Sequence, residues 1–120
     1  MSAEYAQITR INEKIDVFSF GVILLELVTG KEALTGNEDS SLAMWAWEFI
    51  KQGKAIVEAL DEDVKETHYL DEMCSVFKLG LICTSSAPTS RPSMNQALQI
   101  LVRSRTMTPQ NHGDQKVQTP

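Results

Sequence analysis

The stretch from Lys14 to Thr29 constrains the fold of this chain most, because it is apolar on almost every side. Strands rarely exceed about ten residues, so its length favours a helix over a buried strand. Gly30 follows at the position where glycine commonly ends a helix. A helix that is apolar all round must be buried all round. Because only about three further helices are available to cover it, we expect a strip of it to stay uncovered.

Composition limits the class of protein. The chain has 120 residues and 42% hydrophobic residues, which is enough for the core of one domain. Its net charge of −5 argues against a dedicated nucleic-acid binder, which normally carries a basic stripe. From Arg103 onward the apolar content collapses and the balance becomes weakly basic, so residues 103–120 are predicted to be a disordered tail.

Three further segments show helical spacing of apolar residues, and strand signals are nearly absent. Candidate caps precede two of them: Ser40 or Ser41 before the first and Ser93 before the last. The sequence therefore predicts an all-α fold of about four main helices, joined by loops and by one short helix over Lys54–Leu60. The further long helices are predicted at Leu42–Gln52, at Tyr69–Thr84, and from Ser93 to about residue 102.

The two cysteines and the apolar runs indicate a cytoplasmic chain. Cys74 and Cys83 lie nine residues apart in one predicted helix, about 13 Å along its axis. A disulfide needs Cα atoms within about 7 Å, so we expect two reduced thiols. The longest apolar run, Val17–Val28, is shorter than the roughly 20 residues that a bilayer crossing takes, and no signal peptide precedes it. We therefore expect no direct membrane insertion.

Phosphate and zinc motifs are not supported. The pair Gly30–Lys31 lacks the earlier glycine of a phosphate-binding loop, and Glu32 replaces the required Ser or Thr. His68, Cys74 and Cys83 lack the paired spacing of zinc ligands. A surface histidine and two core thiols are the favoured interpretation.

A calcium-binding loop is also disfavoured. Asp61, Asp63 and Glu72 stand at positions 1, 3 and 12 of the calcium-loop template. Lys65 occupies position 5, however, and Glu66 replaces the glycine that the turn needs at position 6. These carboxylates are better explained as a solvated acidic face.

Three separated motifs stand above this background, and they resemble the C-terminal half of a protein-kinase catalytic domain. The resemblance covers residues 2–102, and the match is close for plant leucine-rich-repeat receptor-like Ser/Thr kinases. In these kinases, this part of the domain forms the helical C-terminal subdomain of the large lobe. Residues 1–102 are thus identified as a partial, truncated kinase domain. The motifs are Ser2–Ala6, Asp16–Val22 and Arg91–Met94, and the longer stretches Glu13–Lys31 and Phe77–Thr84 support the receptor-like subgroup.

The resemblance implies structural roles for three residues. Glu4 matches the last residue of the family's Ala-Pro-Glu motif, which forms a buried ion pair with the counterpart of Arg91. Here Ala3 replaces the proline. Asp16 matches an aspartate at the start of the buried helix, which accepts hydrogen bonds from backbone N–H groups of the catalytic loop. Two charges far apart in sequence tolerate burial only when they meet, so we expect Glu4 and Arg91 to be in contact.

The catalytic motifs of a kinase do not occur in this sequence. It contains no Gly-x-Gly-x-x-Gly, no His-Arg-Asp and no Asp-Phe-Gly. In the family, these motifs bind ATP and magnesium and supply the base, and all lie upstream of the counterpart of Glu4. We therefore expect no catalytic, cofactor or metal residues here and no ATP binding.

Two functional hypotheses remain open, and an unrelated helical adaptor is disfavoured. In the first, the chain is a fragment of a receptor-like Ser/Thr kinase and is inactive by itself; the intact parent lies at the plasma membrane with its kinase domain in the cytosol. In the second, it is a non-catalytic interaction module that competes for partners of full-length kinases. The docking surface would be the helix Leu42–Gln52 with Trp45 and Trp47. For these tryptophans, core or groove packing is favoured over a stacking platform.

Overall fold

The computed structural model of the chain describes residues 3–33, 41–65 and 68–106. These residues form five α-helices and no β-strand, and four of the helices have ten residues or more. The all-α prediction with four main helices is confirmed. The helices are α1 (Ala3–Thr29), α2 (Leu42–Lys51), α3 (Glu62–Lys65), α4 (Leu70–Cys83) and α5 (Met94–Thr106), with single 3-10 turns at Ile56–Ala59 and Pro88–Ser90.

Helix α1 is longer than predicted. The predicted start at Lys14 was wrong, because α1 begins at Ala3 and runs for 27 residues. Residues 3–13 contain no Gly or Pro and are rich in good helix formers, so nothing local ends the helix there. At its other end the prediction is confirmed: Gly30 has a φ of +73°, and its amide donates a 2.9 Å hydrogen bond to the Glu26 carbonyl.

The predicted caps are confirmed for α2 and α5. The Ser41 hydroxyl accepts a 3.2 Å hydrogen bond from the Met44 amide at the start of α2. At α5, the Gln96 amide donates to the Ser93 hydroxyl at 3.0 Å and the Ser93 amide donates to the Gln96 side chain at 2.9 Å. This reciprocal pair satisfies two amides that the first turn of a helix leaves without partners.

Some predicted boundaries were wrong. The short helix expected over Lys54–Leu60 is a 3-10 turn, Ile56–Ala59. The acidic stretch contains the one-turn helix α3, which was not predicted. Helix α5 continues through Thr106, so the predicted tail does not begin at Arg103. Residues 107–120 of that tail, and residues 34–40 of the loop before α2, lie outside the described residues.

The core lies around the crossing of α1 and α4, with α2 and α5 packed on either side of them. Two clusters of buried side chains form there. The first joins α1, α2, α4 and the 3-10 turn Ile56–Ala59, and contains Leu25, Val28, Leu42, Ala46, Ala59, Leu60, Phe77 and Leu81. The second joins α1, α4 and α5, and contains Val17, Leu24, Leu79, Cys83 and Ala97.

Two glycines bring α1 and α4 together. A Cβ placed on Gly21 would lie 2.6 Å from the Cβ of Cys83, and one placed on Gly80 would lie 2.8 Å from a Leu25 methyl carbon and 3.2 Å from the Gly21 carbonyl oxygen. At either position, neighbouring atoms would have to shift before a side chain could be added. The close approach therefore depends on the absence of a side chain at both positions.

Burial in α1 is one-sided. The prediction that the apolar stretch is buried all round was wrong, since Ile23 is 51% exposed and Leu27 is 67% exposed. Val17, Leu24, Leu25 and Val28 are buried. The remaining helices thus cover one face of the stretch and leave an apolar strip open, as expected from their small number.

Candidate functional site

Arg91 connects the loop before α5 to α1. Its Nε donates a 2.8 Å hydrogen bond to the Ser85 carbonyl, and its Nη1 donates a 3.0 Å hydrogen bond to the Lys14 carbonyl. In return, Lys14 Nζ donates to the Arg91 carbonyl at 2.8 Å. The guanidinium carbon also lies 4.9 Å from the centroid of the Phe18 ring, within the range of a cation–π contact. These bonds hold the loop against α1.

The structure does not bring Glu4 and Arg91 together. Glu4 is exposed in the first turn of α1, about 15 Å along the helix from Lys14. The single salt bridge among the described residues joins Lys65 and Glu62 at 3.1 Å. The predicted ion pair is therefore not formed here: the continuous helix keeps Glu4 away, and backbone carbonyls take the place of its carboxylate.

Asp16 lies in the middle of α1 and is exposed. Its predicted place at the start of the buried helix was wrong, because α1 begins at Ala3. A mid-helix carboxylate gains little from the helix dipole, whose effect is confined to the first and last turns. Its role toward the backbone of a catalytic loop stays a prediction for an intact kinase domain.

Trp45 and Trp47 make different contacts, although both are half-buried against the first cluster. The Trp47 indole N–H donates a 3.2 Å hydrogen bond to the Thr84 hydroxyl. The Trp45 ring lies 5.2 Å from the Phe49 ring, and Lys31 Nζ lies 4.7 Å from the Trp45 centroid. The two rings thus do not form one stacking platform, in agreement with the packing interpretation.

An open cavity of about 520 Å³ lies between α2, Phe18 of α1 and the end of α4. Phe18, Met44 and Trp47 give it an apolar lining, while Glu48 and Lys51 add one charge of each sign. Ser41, Thr84, Ser85 and Ser86 also line it. Such a mixture suits an apolar side chain flanked by groups that form hydrogen bonds.

A smaller cavity of about 260 Å³ lies between the first half of α1 and the turn that precedes Arg91. Three cationic side chains and no acidic one line it; the full lining is Gln7, Arg10, Ile11, Lys14, Ile15, Pro88, Thr89 and Arg91. This cavity was not predicted from the sequence. The signal was present, because Arg10–Ile11 and Lys14–Ile15 repeat the same pair four residues apart, which places them on one face of a helix.

Both thiols are poor nucleophiles at neutral pH. Burial raises the pKa of Cys83 to about 11. For Cys74, burial raises the pKa first, and the charge of Asp71 raises it further. Within the described residues, no three His, Cys, Asp or Glu side chains form a group that could hold a metal ion. No helix in this part of the chain has both the length and the hydropathy for crossing a bilayer.

The sequence of residues 1–101 matches the protein tyrosine and serine/threonine kinase family. Among similar proteins of Arabidopsis thaliana, the receptor-like protein kinase HAIKU2 is 34% identical over 118 residues, which is 95% of this chain and 12% of that protein. A probably inactive leucine-rich repeat receptor-like protein kinase is 42% identical over 94 residues, which is 77% of this chain and 9% of that protein.

A solved structure shows the same fold. The pseudokinase domain of BIR2, an immune regulator of the RLK/Pelle family, superposes with a TM-score of 0.70 at 32% identity. The match covers 93% of this chain and 35% of the pseudokinase chain. The chain therefore spans about a third of that domain, and about a tenth of the length of the two curated relatives.

Proposed function

Because this chain belongs to the protein kinase family, with plant leucine-rich-repeat receptor-like kinases as relatives, we propose that it forms the helical scaffold of the lower lobe of such a kinase and transfers no phosphate by itself. The parent would transfer phosphate from ATP to Ser or Thr, in a kinase domain on the cytosolic side of the plasma membrane. This chain alone would be cytoplasmic.

One observation carries the proposal: no residue of this sequence matches a phosphate-, magnesium- or base-supplying motif of the family. Catalysis of phosphoryl transfer depends on groups that position and neutralise the phosphates, so a chain without them keeps only the support that those groups need. The relatives give weaker support, since one is described as probably inactive and the solved neighbour is a pseudokinase domain.

The test is nucleotide binding and autophosphorylation by the purified 120-residue chain. Titration with magnesium ATP in a calorimeter should give no saturable heat, and incubation with radiolabelled ATP should give no labelled protein. An active kinase domain of a receptor-like relative, measured in parallel, is the positive control. Stoichiometric ATP binding at micromolar concentration would overturn the proposal.

A second candidate function, protein docking through α2, is favoured by the 520 Å³ cavity. Met44 is 58% exposed and lines this cavity together with Trp47, so an apolar side chain is available to a partner at its rim. Large exposed apolar residues beside a concave surface are typical of sites for peptides and proteins. Under this proposal, the chain competes with full-length kinases for their substrates or regulators.

Competition can be measured directly. An excess of this chain should lower the phosphorylation of a protein substrate by an active receptor-like kinase domain. Met44→Asp should weaken that inhibition at least fivefold, because a carboxylate at the rim opposes an apolar ligand. Ile82→Asp is the matched control, since Ile82 is 44% exposed on α4 and does not line the cavity. Equal inhibition by both variants would contradict docking at α2.

A further inference from the structure

The cavity between α1 and the loop before Arg91 has the charge of an anion site. Three of the eleven Lys and Arg residues of this chain, Arg10, Lys14 and Arg91, line a space of about 260 Å³, although the whole chain carries a net charge of −5. None of them forms a salt bridge with a carboxylate among the described residues. Their charges are therefore not neutralised by the protein around the cavity.

Two of these cations are already held in place. Arg91 uses Nε and Nη1 for bonds to backbone carbonyls, which leaves Nη2 without a hydrogen bond among the described residues. Lys14 Nζ donates one bond, to the Arg91 carbonyl, and an ammonium group has three donors. An anion bound here would therefore meet donors whose positions are fixed beforehand, which reduces the entropic cost of binding.

A nucleophilic hydroxyl lines the same cavity. Thr89 is exposed, belongs to the turn Pro88–Ser90, and its side chain makes no hydrogen bond among the described residues. Because Thr89 is exposed and lines the cavity, its oxygen is accessible to an enzyme, and a group added to it would lie beside the cationic cavity.

We propose that Thr89 is a phosphorylation site, and that Arg10, Lys14 and Arg91 hold the phosphate. A separate, active Ser/Thr kinase would supply the phosphoryl group from ATP. The Thr89 oxygen would form a bond to the γ-phosphorus while the bond to the ADP oxygen breaks; ADP leaves, and the hydroxyl proton passes to the base of that kinase. This inference does not depend on the proposed inactivity of the chain.

The phosphate would join two parts of the molecule that are already connected by the side-chain-to-backbone hydrogen bonds between Lys14 and Arg91. It carries about −1.5 to −2 charge at neutral pH, and phosphate–guanidinium bonds are among the stronger hydrogen bonds of proteins. Arg10 lies one helical turn before Lys14, so a phosphate held by both would extend the contact toward the N-terminus of α1. We expect phosphorylation to protect the backbone of residues 3–14 from hydrogen exchange.

The test compares phosphothreonine at position 89 with phosphoserine at position 90, each installed in the full chain. Ser90 is the matched control, because it is exposed in the same turn but does not line the cavity. In a ³¹P NMR titration, the second phosphate pKa, near 6 in a free peptide, should fall by about 0.5 to 1 unit at position 89 and by less than about 0.2 at position 90. Hydrogen exchange of the amides in residues 3–14 should slow severalfold in the protein phosphorylated at Thr89, and not in the protein phosphorylated at Ser90.

The variant Arg10→Gln/Lys14→Gln should abolish most of the pKa shift of the phosphate and most of the protection of residues 3–14 from exchange. It leaves the hydrogen bonds of Arg91 to the Lys14 and Ser85 carbonyls available. Because the variant also loses the bond from Lys14 Nζ to the Arg91 carbonyl, and unfolding alone would return the phosphate to its free pKa, circular dichroism must show that the variant keeps the helix content of the parent chain. Equal pKa values at positions 89 and 90, or a shift that survives the double substitution, would overturn the proposal. So would mass spectra showing that active receptor-like kinases phosphorylate other hydroxyls of the folded chain and not Thr89.

Discussion

The two halves of α1 belong to one continuous helix but differ in what holds them. No residue of the first half, 3–16, whose side chain the structure describes is buried. The second half, 17–29, contains the buried Val17, Leu24, Leu25 and Val28 and crosses α4 at Gly21. The first half contacts the rest of the molecule through Lys14, Arg91 and the cationic cavity.

This difference separates helix propensity from helix stability. Local sequence lets the first half continue as helix, because nothing in it breaks the hydrogen-bond ladder. Most helical stability in proteins, however, comes from the packing of an apolar face. The first half carries three large apolar side chains that are each more than half exposed: Ile8, Ile11 and Ile15. Burial of their apolar area therefore contributes little to the stability of the folded state.

Truncation of one apolar side chain in each half should give very different losses of stability. Leu25→Ala removes a side chain that is 0% exposed, and should lower the free energy of unfolding by about 2–5 kcal/mol. Ile11→Ala removes one that is 54% exposed, and should cost no more than about 0.5 kcal/mol. Urea unfolding followed by circular dichroism measures both. Similar losses would show that the first half is packed in solution.

Stability should fall at alkaline pH because Cys83 of α4 is buried against the second half of α1. Burial raises the pKa of Cys83 from its ordinary 9.0 to about 11, so the unfolded chain loses this proton first. The contribution of Cys83 to the free energy of unfolding is complete below about pH 9 and declines as the pH rises toward 11. The difference between the two pKa values corresponds to a loss of about 2–3 kcal/mol. Unfolding experiments at each pH measure the slope, and Cys83→Ala should flatten it. An unchanged slope in that variant would assign the effect to other groups.

Loss of the Arg91 side-chain bonds should weaken the attachment of the loop to the first half, where only the bond from Lys14 Nζ to the carbonyl of residue 91 would remain of the three hydrogen bonds described above. Arg91→Met keeps an apolar stem near Phe18 but removes both donors to the Ser85 and Lys14 carbonyls, and should cost about 1–3 kcal/mol. Arg10→Met is the control: it removes an exposed cation without a hydrogen bond among the described residues, and should cost no more than about 0.5 kcal/mol. Equal effects would mean that charge alone, and not these bonds, connects the two parts.

Glu4 and Arg91 should be energetically independent in this chain. They are not in contact, so Glu4→Ala and Arg91→Ala should add within about 0.5 kcal/mol in a double-mutant cycle. A coupling near the 3–5 kcal/mol of a buried pair would show that α1 breaks in solution and returns Glu4 to Arg91, as in the family's arrangement.

The sequence predicted the elements whose ends are coded locally. Helix α2 has Ser41 before it and Gly53 after it, and α5 has Ser93, so caps and apolar spacing agreed with each other. The first half of α1 was missed although Ile8, Ile11 and Ile15 have the spacing of one helix face. The resemblance to kinases placed the start of the buried helix at Asp16 and treated residues 2–6 as a separate motif. The spacing of these isoleucines was therefore not used.

The site was harder to predict than the fold. The resemblance to the kinase family singled out Arg91 and implied Glu4 as its partner. The structure satisfies the guanidinium with the carbonyls of Lys14 and Ser85. Every residue has a carbonyl, so residue identity carries no information about such acceptors. Trp47 was identified by its type, whereas its partner Thr84 has no feature that marks it in advance.

The space that Gly21 and Gly80 leave open is filled by side chains of the opposite helix. A Cβ on Gly21 would lie 2.6 Å from the Cβ of Cys83, and one on Gly80 would lie 2.8 Å from a methyl carbon of Leu25. Leu25 and Cys83 are both fully buried. The two glycines and these two side chains therefore interlock across the crossing of α1 and α4. A larger residue at any one of the four positions has to displace another of them or move the two helices apart.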